Sequence, residues 1–117
     1  MKNELVIPED VIMISEINEK GVFTFVNDDY CKVTGYSFDE LIGNLHYMIR
    51  PNQMPKTVFK ELWHTILKGE IWNGTVKKQT KNGNFYWVNV TVYPSKSSTG
   101  EISYISVKVK PIENKLS

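Results

Sequence analysis

The sequence predicts an α+β fold, a five-stranded antiparallel sheet with short helices and one longer helix packed on one face. Three observations carry this expectation. Two short alternating segments precede Asn27, one amphipathic stretch runs from Pro55 to Lys68, and three longer alternating segments follow Gly69. Strands first, helices next and strands last require an antiparallel sheet with its helices gathered on one side.

The elements follow in order. Residues 1–10 read as a lead-in or cap, 11–110 as the domain body and 111–117 as a C-terminal linker. Val11–Ile17 alternates loosely as a first strand and turns at Asn18-Glu19-Lys20-Gly21, residues suited to positive φ. Val22–Asn27 is the second strand. Asp28–Val33 and Phe38–Ile42 are short helices, the latter opened by Ser37 with Glu40 at capping-box spacing. His46–Arg50 reads as one further turn before Pro51. In the long helix Val58, Phe59, Leu62, Trp63, Ile66 and Leu67 recur at helical spacing, with Pro55 suited to its first turn and Gly69 to its end. Ile71–Thr80, Phe85–Tyr93 and Ile102–Val109 complete the sheet, joined by Lys81-Asn82-Gly83 and Ser95–Gly100.

Composition narrows the function. A chain of 117 residues with 41% hydrophobic and 23% charged residues has the size and balance of one globular domain. The net charge of +1 and scattered lysines argue against a nucleic-acid surface. A single cysteine, Cys31, excludes an internal disulfide and suits a reducing, cytoplasmic setting. No signal-peptide pattern opens the chain, and no apolar run reaches the ~20 residues of a membrane span. His46 and His64 fall on different elements without a patterned nucleophile, and one Cys with two separated His makes no closed zinc site. The glycines sit singly, without a phosphate loop. A binding module is expected rather than an enzyme.

In the fourth strand Tyr86, Val88, Val90 and Val92 share the face expected to meet the helices. Trp87 and Tyr93 take the other face, and Tyr104 of the last strand is expected beside them. An aromatic outer face calls for a cover, either Met1–Asp10 or a second copy of the chain.

Gly21–Gly43 reads GVFTFVNDDYCKVTGYSFDELIG, a strand running into stubby helices that wrap around a hole. This wording resembles the Per-Arnt-Sim (PAS) family. The signature V-N-x-x-x-x-x-x-T-G-Y-S-x-x-E-L-I-G is met at Val26, Asn27, Thr34, Gly35, Tyr36, Ser37, Glu40, Leu41, Ile42 and Gly43. From Met48 to Val88 the chain further resembles the PAS domain of bacterial aerotaxis receptors, whose pattern begins M-V-R-H-P-D-M-P-K. That likeness implies noncovalent FAD and a redox signal passed to a chemoreceptor or kinase partner.

Residue by residue, the resemblance assigns Arg50 to FAD binding, where a guanidinium suits a pyrophosphate or flavin carbonyl. It sets Trp63 against the isoalloxazine, and Phe59, Trp72, Gly74 and Asn27 also match. The family's His and Asp become Pro51 and Gln53 with Asn52 between them, and a third-strand asparagine becomes Lys78. Asn52, Gln53 and Lys78 retain hydrogen-bonding groups, and a lysine at the ring edge favours the anionic reduced ring. Light-oxygen-voltage domains need a cysteine where this chain has His46, and Cys31 lies too early; a small buried thiol is its plainer role. His64, among polar helix positions, is poorly placed for haem. The departures keep a second possibility open, a cofactor-free or small-ligand PAS module acting through dimerisation.

Overall fold

The computed structural model describes residues 3–46 and 56–112. The first strand, β1 (Met13–Asn18), starts two residues later than the alternation suggests, because Val11 N–H closes a turn onto the Pro8 carbonyl at 3.2 Å. β2 (Phe23–Val26) pairs back on it. α1 (Asp28–Thr34) and α2 (Phe38–Leu41) follow, then α3 (Lys56–Leu67). β3 (Trp72–Gln79), β4 (Phe85–Lys96) and β5 (Ile102–Val109) close the chain. The five strands are antiparallel in the order β2-β1-β5-β4-β3, so the first strand lies beside the last at the centre. β4 runs three residues past its expected end at Tyr93. Pairing with β3 stops at Val92, and the remainder has only β5 beside it, an edge where Pro94 is tolerated.

The capping box at α2 forms as expected: Ser37 Oγ accepts from Glu40 N–H at 3.2 Å while Ser37 N–H donates to Glu40 Oε1 at 2.9 Å. The same carboxylate takes Lys81 Nζ at 2.6 Å, and Lys81 N–H donates to the Thr34 carbonyl at 2.8 Å. Together these tie both short helices to the β3–β4 turn. The Lys81 hydrogen bond, helped by the Ser37 amide, holds the Glu40 carboxyl below its ordinary range.

Residues 43–46 hydrogen-bond along the free edge of β2. Gly43 N–H reaches the Phe23 carbonyl, Phe23 N–H the Asn44 carbonyl, and His46 N–H the Gly21 carbonyl. His46 thereby lies over Gly21, where a Cβ would stand 3.1 Å from its Cδ2 and where φ is +83°. Only glycine meets both conditions. Apart from His46 itself, the sequence-expected turn His46–Arg50 lies outside the described residues.

Met13, Leu41 and Val88 are fully enclosed, and the expected inner face of β4 meets the helices. The last strand differs from expectation. Tyr104 is not on the outer face but is buried at 6% exposure, opposite Ile17 of β1 and Pro94 of β4. Ile102, Ser106 and Lys108 share its inward phase, and Ile105, Val107 and Val109 turn outward. The lead-in takes the place vacated where β5 ends. Because β5 pairs β4 only from Asn89 onward, Leu5 N–H reaches the Phe85 carbonyl at 2.8 Å and Phe85 N–H the Asn3 carbonyl at 2.9 Å. Ile7 is buried there, yet Trp87 stays 45% and Tyr93 36% exposed.

Candidate functional site

The sheet's inner face, α1, α3 and His46 enclose a cavity of about 110 Å³. Helical spacing in α3 turns Phe59, Leu62, Trp63 and Ile66 toward it. Trp63 is the hub of its aromatic wall. Its ring centroid lies 6.3 Å from Phe59, 6.3 Å from His46 and 5.6 Å from Tyr104, the last in edge-to-face geometry. Phe23 extends the series, edge-on to both His46 and Tyr30. Val90 and Val92 form the floor.

Polar groups enter from the sheet. Lys78 and Gln79 reach the cavity from the end of β3, and Ser15, Ser106 and Lys108 from the central pair β1 and β5. Ser15 and Ser106 are direct register partners, with Lys108 two positions along the same face. Lys108 is buried; its Nζ donates to Ser106 Oγ at 2.7 Å and stands 5.4 Å from the Tyr30 ring centroid. Cys31 does not line the cavity, and burial, followed by the nearby Asp28 charge, pushes its thiol pKa up. No group of three metal-ligating side chains occurs among the described residues, and no helix among them is long and apolar enough to cross a membrane. A mostly apolar chamber with a few convergent polar groups has the make-up common to small-molecule sites.

A family model described as the PAS fold matches residues 23–107, most of the chain. The chain is a PAS domain. It is 36% identical over 109 residues to the aerotaxis receptor of Escherichia coli K12, covering 92% of this chain and 21% of that receptor. It is 27% identical over 93 residues to a nitrogen fixation regulatory protein of Klebsiella pneumoniae, covering 80% of this chain and 19% of that protein. The PAS domain therefore spans about a fifth of the length of these curated relatives. Among solved structures, the LOV domain of the blue-light photoreceptor Aureochrome1 superposes with a TM-score of 0.73 at 17% identity, covering 86% of this chain and 82% of that one. A blue-light activated histidine kinase of Erythrobacter litoralis gives 0.75 at 14% identity over 89% of this chain and 34% of its own. These likenesses show a shared fold.

The sequence-expected site residues of this PAS domain fall into three groups. Phe59, Trp63 and Lys78 are brought together on the cavity wall. Asn27 and Trp72 lie away from that wall. Asn27 caps α1: its Oδ1 accepts from Tyr30 N–H and Ile14 N–H, both at 3.0 Å, and its Nδ2 donates to the Ile12 carbonyl at 2.8 Å. Trp72 is buried where β3 meets α3, its Nε1 donating to Glu61 Oε1 at 3.4 Å. Arg50, Asn52 and Gln53 lie outside the described residues. Sequence reasoning missed Lys108, Ser106, Ser15 and the inward Tyr104. The available signal was β5 alternation, which ties Ser106 and Lys108 to whichever face Tyr104 takes.

Proposed function

We propose that this PAS domain is a cytoplasmic sensory module of aerotaxis-receptor type that holds FAD between α3 and the sheet. It passes redox state to a chemoreceptor or kinase partner. The observation that carries the reading is the cavity's division of labour. Trp63 and Phe59 offer flat apolar surface from the helix, while Lys78 and Gln79 supply hydrogen-bonding groups from the sheet. A flavin ring is apolar on its faces and polar along an edge, so this donor set fits it. Bound flavin supplies reversible electron uptake that changes charge and hydrogen bonding at the ring edge. The chain's share is to stack the ring on Trp63, orient its edge toward β3 and exclude water. A change felt by Lys78 or Gln79 passes into β3 and β4, whose outer faces a partner reads.

The test begins with colour. Purified protein is expected to be yellow and to release flavin on denaturation. Trp63→Ala should weaken FAD binding at least about tenfold through lost stacking, measured by fluorescence titration. Colourless protein that takes up no FAD on reconstitution ends the flavin reading and leaves the fold assignment standing.

Cavity size favours a second reading. About 110 Å³ is nearer the ~150 Å³ that admits one benzene ring than the space of a tricycle, so a flavin requires the ring contacts of Trp63 to open. A small-ligand PAS module acting through dimerisation needs no such opening. Trp87 and Tyr93, exposed on the outer face, are the contact residues in that case. Trp87→Glu should then convert a dimer to a monomer in multi-angle light scattering, and an unchanged mass removes Trp87 from any dimer contact.

A further inference from the structure

Two enclosed hydroxyls reach the cavity without a protein partner. Ser15 of β1 is at 5% exposure and Tyr104 of β5 at 6%, and both line the chamber. Among the described residues no group hydrogen-bonds either hydroxyl. Every side-chain polar atom sealed from open space among those residues does have a partner, so these two oxygens meet open space. The cavity is the space that both residues line. Two other hydroxyls nearby are engaged: Thr34 Oγ1 donates to the Tyr30 carbonyl at 2.8 Å, and Ser106 Oγ accepts from Lys108 Nζ at 2.7 Å. Strand register makes Ser15 and Tyr104 neighbours. Ser15 stands opposite Ser106 and Ile17 opposite Tyr104, so the two occupy a diagonal on the cavity side of the central strands. The Tyr104 ring is set edge-on to Trp63, centroids 5.6 Å apart, which fixes the phenol before any guest arrives. A hydroxyl taken out of water is left incomplete unless the occupant of the cavity completes it.

We propose that Ser15 and Tyr104 form a two-hydroxyl clamp for a carbonyl oxygen, so that the guest of this cavity is a small ring compound bearing a carbonyl group. A carbonyl oxygen offers two lone pairs, one for each hydroxyl. Hydroxyls also accept, and the rest of the lining decides which role they play. No aspartate or glutamate is among the described residues that line the cavity, whereas lysine side chains and further hydroxyls are. The wall is thus rich in donors, and the guest has to supply the acceptor. The proposal rests on the small-ligand reading above and deepens it by naming the group that the ligand carries. At about 110 Å³ the chamber suits one ring, with Trp63 and Phe59 offering flat surface to it. Specificity follows from the enclosure. An analogue with a methyl in place of the carbonyl oxygen strands both hydroxyls out of water.

The experiment uses the full chain with Tyr104→Phe and Ser15→Ala, each of which removes one oxygen and little else; thermal melts confirm that both fold. Acetophenone and cumene serve as probes, close in shape, one with a carbonyl oxygen where the other has a methyl. Amide chemical shifts follow each titration. Acetophenone affinity should fall about fivefold in either variant, while cumene affinity should hold within about twofold because the apolar walls are untouched. A variant in which acetophenone affinity is unchanged, or in which both affinities fall together, overturns the clamp while the small-ligand reading stands. Acetophenone that fails to saturate the wild type where cumene does also overturns the clamp. If neither probe saturates, in colourless protein or in protein that holds FAD, the small-ligand reading and the clamp fall together.

Discussion

Asn27→Ala is expected to destabilise the domain by about 2 kcal/mol, a loss of helix capping plus a stranded Ile14 amide. The side chain is a three-way clamp. Its Oδ1 takes the Tyr30 amide to start α1 and the Ile14 amide of β1, and its Nδ2 holds the Ile12 carbonyl. Alanine leaves the Tyr30 and Ile14 amides without this side chain at a part-buried junction, whereas the exposed Ile12 carbonyl can turn to water. For a domain of this size the melting temperature should fall by roughly 10 °C. Asn27→Asp keeps both acceptor bonds and loses only the Nδ2 donor, so it should cost about 1 kcal/mol. Equilibrium urea unfolding of the three proteins checks the order. An alanine variant as stable as wild type would remove the clamp, and an affinity loss for FAD well beyond the stability loss would point to a ligand contact instead.

This junction illustrates what the sequence did and did not make legible. The element order, the capping box of Ser37 and Glu40 and the inward face of β4 were readable, because each rests on local chemistry or on a strand with one clearly apolar side. Phe59 and Trp63 were readable from helical spacing for the same reason. The phase of β5 was not. Both of its faces hold apolar residues, Ile102 and Tyr104 on one and Ile105, Val107 and Val109 on the other. Alternation fixes which face is buried only when the two differ. Placing Tyr104 outward also hid Lys108, since the two share a face. Likeness to a family has a different limit. It marks Asn27 and Trp72 as matching positions without separating a side chain that touches a guest from one that holds the wall around it. Here the polar atoms of both are engaged with the fold itself.

Trp72 leads to the second large effect, at a residue with no side chain. Gly74 sits two positions along β3 from Trp72, on the same face, and the indole lies flat along the strand across it. A Cβ on Gly74 would stand 2.5 Å from Trp72 Cη2 and 2.7 Å from Cζ2, well inside contact distance. The ring has little room to yield, because it is buried at 6% exposure where β3 meets α3. Alanine normally strengthens a strand relative to glycine, but displacing a packed indole should outweigh that gain, for a net loss of about 2 kcal/mol. Trp72→Leu removes the obstruction along with the ring's own burial. In the double variant the two losses should therefore fall short of their sum by at least about 1 kcal/mol. Urea unfolding of the four proteins measures this coupling, and strict additivity would mean that the indole does not depend on a bare strand beneath it. The consequence reaches the cavity. Trp72 braces the helix that carries Phe59 and Trp63, so Gly74→Ala should also weaken uptake of any guest without touching it, and Trp72→Leu should not restore that loss even where it restores stability.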